Sequence, residues 1–194
     1  MVAFSPRLEI ALDIAATAHQ AQFRKIRGTP FIVHPVHIAI ILLKYGFSEE
    51  VVMAGLLHDV VEDTEMGLAP IREQLGERVA ALVAHMTDAP YGERDHLIWE
   101  AQRAILLEHL LHGDPDVVAI KVADSLHNLA TLNLELQANG ISMWERFSRG
   151  AVPTLEFHRK VLVVAEQVLG NHPMVAELQD VIDQAAKLSG IGTL

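Results

Sequence analysis

The chain contains no cysteine. That absence removes disulfides, thiolate nucleophiles and Cys-type structural zinc together. It leaves histidine and carboxylate as the strong metal ligands, so any metal must sit in an N/O site. Long uninterrupted apolar runs are also missing, although 51% of the 194 residues are hydrophobic. No segment approaches the span of a membrane helix, and no membrane partner is expected. Positive charge is scarce, with 15 Lys and Arg against 25 Asp and Glu and a formal balance of −10. A general nucleic-acid surface needs a basic field, so nucleic acid is excluded as a partner, and a phosphate-bearing substrate would have to be attracted by local cations. Candidates for that task are Arg24, Lys25, Arg27 and Lys121. The N-terminus reads Ser5-Pro6-Arg7-Leu8-Glu9, where a secretory signal would carry a basic flank and an apolar stretch. A soluble, cytoplasmic protein is expected.

Strand signals are sparse, while apolar residues recur at three- and four-residue spacing throughout. The pattern predicts an all-α fold, a compact single-domain helical bundle over 1–194 that is long enough to bury most of its apolar surface without staples. Ser5-Pro6 opens a first helix to about Gln22, His34-Pro35 a second that ends at Gly46, and Ser48-Glu49-Glu50 a third. Gly67 and Gly76 bound one or two short helices, and Gly92 precedes a longer one to about His112. Asp114-Pro115 caps a helix running to Gly140, and two more follow over about 142–169 and 173–189, with Pro153 marking a kink or start.

The third helix carries the first chemical signal. Wound as one continuous helix, His58, Asp59, Glu62 and Asp63 fall within an arc of about 140°, while Met53, Leu56, Leu57, Val60 and Val61 fill the rest. A solvated acidic face usually mixes in Lys or Arg at i,i+4 to relieve repulsion. This stripe has none, so a bound cation stabilises it better than water does.

Two further residues extend the set. His34 precedes Pro35, which disfavours α geometry and holds His34 at the mouth of a helix, its side chain free to turn inward. A cap or surface position is the competing reading. Asp124 lies in the apolar run from Val117 to Leu126, where a buried carboxylate demands a cation, a hydrogen-bond network or solvent. A pair with Lys121 is the competing reading there. Together His34, His58, Asp59 and Asp124 make two imidazoles and two carboxylates, a set suited to Mn²⁺, Fe²⁺ or Zn²⁺ with positions left for water and a phosphate oxygen.

Four blocks then occur in order: His19-Gln20-Ala21-Gln22-Phe23-Arg24-Lys25, Gly28-Thr29-Pro30-Phe31-Ile32-Val33-His34-Pro35, Leu56-Leu57-His58-Asp59-Val60-Val61-Glu62-Asp63-Thr64, and Ile120-Lys121-Val122-Ala123-Asp124-Ser125-Leu126-His127-Asn128-Leu129. In order and spacing they resemble the HD-domain metal-dependent phosphohydrolases, and within them the hydrolase domain of RelA/SpoT-type alarmone enzymes, over roughly residues 10–135. The resemblance implies that His34, His58, Asp59 and Asp124 bind one Mn²⁺ and that Glu62 and Asp63 form the catalytic acidic pair. It implies a nucleotide substrate, guanosine tetra- or pentaphosphate, with pyrophosphate released from the ribose 3′ position. By the same resemblance Arg24 lies near the guanine and Lys25 near phosphate, Lys121 belongs to the substrate site, and Asn128 and Thr131 contact the purine. The family often has Arg where this chain has Ser125 and Ala130. The likeness is to a stand-alone small alarmone hydrolase.

Two rivals follow from these residues. One is an HD phosphohydrolase for another nucleotide, such as a nicotinamide dinucleotide phosphate, a nucleoside monophosphate or a deoxynucleotide. The other is a non-catalytic module that binds the alarmone, whose signature would be loss of a ligand or of the acidic pair, and all six positions are intact. His37, His85, His96, His109, His112, His158 and His172 match no ligand spacing and read as structural or surface. His19 and His127 fall inside the blocks, where packing or hydrogen bonding around the ligands is expected. Thr87-Asp88 and Tyr91-Gly92-Glu93-Arg94 are read as a loop bordering the pocket.

Overall fold

The computed structural model describes residues 5–25, 27–87, 91 and 99–192. Among these residues there are ten α-helices, one 3-10 helix and no strand, the nearest approach being an isolated bridge between Phe23 and Pro30. The chain divides into two compact units, Met1–Gln102 and Arg103–Leu194.

The first unit holds α1 (Pro6–Ala18), α2 (Val33–Lys44), α3 (Glu49–Leu57), α4 (Val60–Asp63), α5 (Leu68–Leu75) and α6 (Glu77–Met86). Its hub is α3, which packs against α1, α2 and α6. Every residue of α3 from Val51 to Leu57 is buried, as its unbroken apolar sequence requires. Ser48 starts it by accepting from the Val51 N–H, and Ser5 starts α1 by accepting from the Leu8 N–H. Arg7 pins α1 across its neighbours, donating to Glu50 at 2.9 Å and to the Leu75 carbonyl at 2.9 Å.

Two expectations change here. α1 ends at Ala18 rather than near Gln22, because the segment after it reverses direction. Arg24 N–H donates to the Thr29 carbonyl at 2.8 Å and Phe31 N–H to the Gln22 carbonyl at 2.9 Å. Gly28 closes this turn at φ 65, a conformation that costs glycine least. The His-Asp helix is also not continuous. It breaks at His58 and Asp59, and α4 resumes as a single turn from Val60.

The second unit holds most of α7 (Trp99–His112), then α8 (Pro115–Asn139), the 3-10 turn Ile141–Arg146, α9 (Ala151–Leu169) and α10 (Pro173–Leu188). α8, α9 and α10 pack pairwise against one another around Ile120, Leu129, Leu155 and Leu178. Asp114 caps α8 by accepting from the Asp116 N–H at 3.0 Å. Pro153 falls in the first turn of α9, where its missing N–H costs nothing. No described helix is long and apolar enough to cross a membrane.

Candidate metal centre

The centre begins with a glycine. A Cβ on Gly55 would lie 2.5 Å from Leu42 Cδ1 and 3.1 Å from Ile38 Cγ2, both on α2 and both buried. Without a side chain there, α2 and α3 approach closely enough to bring His34 beside His58, with ring centroids 5.2 Å apart. His34 does sit at the mouth of its helix, but in the helical geometry that its place before Pro35 had disfavoured. α2 starts at Val33, and Pro35 occupies the first turn, where no intrahelical donor is required, so helical geometry extends through His34.

Asp59 Oδ2 lies 3.0 Å from His58 Nε2 and 3.5 Å from His34 Nε2. One ligand atom from each of the three residues falls within 4.8 Å of the others. Both imidazoles are buried, while the Asp59 side chain is 24% exposed and open to one side. The tautomer of His58 follows from its other nitrogen, which sits 2.9 Å from the Gly55 carbonyl. A carbonyl only accepts, so Nδ1 carries the hydrogen and Nε2 of the neutral ring presents a lone pair toward the carboxylate. Two acceptors facing each other at this distance need a positive charge between them. Burial pushes the Asp59 carboxyl upward, yet protons on the two imidazoles, one way to supply that charge, outweigh it through charge and hydrogen bonds and hold the group well below the ordinary carboxylate range. A divalent cation supplies the same charge with the imidazoles neutral, so the donor set fits an N/O-bound ion.

Glu62 and Asp63 both lie on α4, half-buried, one turn beyond Asp59. The break at His58 and Asp59 separates ligands from acidic pair. The Asp63 N–H donates to the Asp59 carbonyl at 2.9 Å, and its own carbonyl accepts from Gln22 Nε2 at 2.7 Å. Arg24 places its guanidinium 5.7 Å from the Phe31 ring centroid, within cation–π range, and Lys25 is exposed. Both lie in the turn after α1 rather than at a helix end.

The remaining candidates belong to the second unit. Asp124 is buried on α8, and both of its oxygens are engaged, Oδ2 by Lys121 Nζ at 2.7 Å and Oδ1 by Asn128 Nδ2 at 2.5 Å. The pair with Lys121 is therefore present, extended into a network by Asn128. Thr131 lies one turn further along, half-buried. Ser125 is fully buried, Ala130 exposed. His158 on α9 is buried; desolvation, reinforced by Lys121 and Arg103 against the opposing Asp124, lowers its pKa to about 4. In the loop expected to border the pocket, Tyr91 N–H donates to the Val61 carbonyl at 3.0 Å. Asp88, Gly92, Glu93 and Arg94 lie outside the described residues.

Residues 11–142 match the family model described as HD domain. The chain belongs to the HD-domain family. It is 39% identical over 127 residues to the human guanosine-3′,5′-bis(diphosphate) 3′-pyrophosphohydrolase MESH1, across 63% of this chain and 68% of that protein. It is 38% identical over 129 residues to the GTP pyrophosphokinase of Streptomyces coelicolor, across 65% of this chain but only 15% of that protein. The HD-domain fold is shared with a solved structure described as a metazoan ortholog of SpoT that hydrolyzes ppGpp, at TM-score 0.77 and 28% identity over 95% of this chain and 98% of that one. A Listeria monocytogenes EGD-e protein matches at TM-score 0.70 and 36% identity, over 79% of this chain and 99% of that one.

Two residues of the HD-domain centre carry no local signal of their part in it. Gly55 sits in an apolar run where nothing marks it as a spacer between helices. Gln22 lies inside the first block, but its bond to the Asp63 carbonyl crosses 41 residues and has no local signature.

Proposed function

We propose that the chain is a metal-dependent phosphohydrolase that cleaves guanosine 3′-diphosphate 5′-di- or triphosphate to GDP or GTP and pyrophosphate. The observation that carries the reading is the His58 lone pair held against the Asp59 carboxylate with His34 alongside, an arrangement a divalent ion stabilises. The likeness to the human 3′-pyrophosphohydrolase supports the substrate. In this reading His34, His58 and Asp59 hold one Mn²⁺. When bound, such an ion neutralises diphosphate charge and acidifies a coordinated water. Glu62 and Asp63 then move protons, one carboxylate accepting from the attacking water and a carboxyl group protonating the leaving 3′ oxygen. Arg24 and Lys25 take the guanine and phosphate.

Ser125 and Ala130, standing where the family often has Arg, favour a second reading: the same chemistry on another phosphorylated nucleotide. Pyrophosphate release from guanosine tetraphosphate by chelator-treated protein, with and without Mn²⁺, tests the first. Release only with metal is the expected result. A protein that takes up metal yet leaves guanosine tetraphosphate intact, while cleaving another nucleotide in a panel, turns the assignment to the second.

A further inference from the structure

In the first unit, Nε2 of His19 is a buried polar atom that the reading above leaves unused. His19 is 2% exposed, and this nitrogen has no hydrogen-bond partner among the described residues. Its protonation follows from a chain of two contacts. Gln22 Nε2 donates to the Asp63 carbonyl at 2.7 Å, so the amide nitrogen of Gln22 is committed there and its oxygen must be the atom that meets His19. That oxygen lies 2.8 Å from His19 Nδ1, so Nδ1 carries the hydrogen. The neutral ring then holds a bare lone pair on Nε2. Burial outweighs the opposing Gln22 bond and the nearby Asp59 and Asp63 carboxylates and lowers the pKa, so the neutral form persists.

This is the tautomer that the Gly55 carbonyl imposes on His58. The His19 ring packs on Phe31 at 4.7 Å between centroids, and Phe31 meets His34 on its other flank at 5.6 Å. His19 thus borders the centre, yet it is not one of the three residues whose ligand atoms cluster within 4.8 Å. A bare, buried acceptor beside a polar site calls for a donor, and a water is the donor small enough to serve it.

We propose that His19 is a positioning residue of the metal centre, whose Nε2 accepts a hydrogen bond from a water ordered in the site while its Nδ1–H, through Gln22, pins the backbone that carries Asp63. The kinetic part rests on the metal-dependent hydrolysis proposed above; the tautomer and the water do not. His19 thereby acts on two partners at once, orienting a water with one nitrogen and fixing the acidic pair's turn with the other.

Long-range proton–nitrogen NMR on ¹⁵N-labelled, Zn²⁺-loaded wild type reads the tautomer directly. A hydrogen on Nδ1 alone is expected, and one on Nε2 overturns the proposal. A crystal structure of the Mn²⁺-loaded protein should show a water within about 2.7–3.2 Å of Nε2, and a dry nitrogen overturns it equally. His19→Asn keeps a donor near the Nδ1 position for Gln22 and removes the Nε2 acceptor. It should bind Mn²⁺ within about threefold of wild type, hold KM within about twofold, and lose about tenfold or more in kcat. His19→Gln, whose amide oxygen reaches the Nε2 position, should recover part of that loss. Turnover of His19→Asn within about twofold of wild type, with metal retained, removes the assigned role. If wild type leaves guanosine tetraphosphate intact, the substrate assignment fails, while the NMR and the ordered water still decide this proposal.

Discussion

His58 and Asp59 show how one backbone carbonyl sets the chemistry of a centre. Gly55 C=O fixes the imidazole's hydrogen on Nδ1, and the remaining nitrogen meets the Asp59 carboxylate, a pairing that a cation would stabilise. Asp59→Ala should therefore abolish both Mn²⁺ uptake and turnover, read by metal analysis of the dialysed protein and by phosphate-ester hydrolysis; full metal content would remove Asp59 from the ligand set. Glu62→Gln should keep metal and fold while kcat falls by about 10²–10⁴-fold, and near-native turnover would sink its acid/base role. A third residue-scale prediction concerns His158, which faces Lys121, Asp124 and Arg103. Its pKa is lower folded than unfolded, so the unfolded chain binds the proton more readily. The associated stability is complete above about pH 6.5 and lost as pH falls toward about 4. Between pH 7 and pH 5, wild type should lose about 2 kcal/mol relative to His158→Phe, measured by urea unfolding at each pH. An unchanged difference would mean that His158 is not buried in its neutral form.

At the scale of the element, α3 brings the ligands together. Its apolar face sets its burial, but its separation from α2 is set by the absence of one methyl group. Gly55→Ala should cost about 1–3 kcal/mol through overpacking against Leu42 and Ile38, and should weaken Mn²⁺ binding by moving His34 away from His58. Urea unfolding and a metal titration check the two effects, and a variant with native Mn²⁺ affinity would show that α2 and α3 need no such approach. Helix starts were legible because Ser5, Ser48 and Asp114 cap through side-chain oxygens adjacent in sequence to the N–H groups they satisfy. The break at His58 and Asp59 was not, since the periodicity of Val51 to Thr64 fits an unbroken helix equally well. The end of α1 escaped for a related reason: the chain leaves the helix to pair Arg24 with Thr29, a contact closed by a turn rather than by propensity.

For the whole molecule, a ligand that binds only the folded chain raises its stability by mass action. With free Mn²⁺ at about a hundred times its Kd the gain is about 2.7 kcal/mol, which for a chain of this length raises Tm by about 5–10 °C. Thermal unfolding across a Mn²⁺ series, and its reversal by chelator, measures this; a Tm indifferent to metal would place the ion outside the folded centre.

The amino-acid sequence by itself determined that any metal site is N/O in type, because there is no cysteine, and that the fold is helical, because its apolar residues repeat every three to four positions. It also supplied the residues of the centre, since His58 and Asp59 stand in an otherwise apolar run. Local chemistry of this kind is written in neighbours along the chain. Only the tertiary structure decided which imidazole nitrogen faces the carboxylate, how near α2 lies to α3, and that Gln22 joins His19 to the Asp63 turn. Those outcomes depend on carbonyls and methyl groups brought together from distant segments, and spacing along the sequence carries no record of such distances.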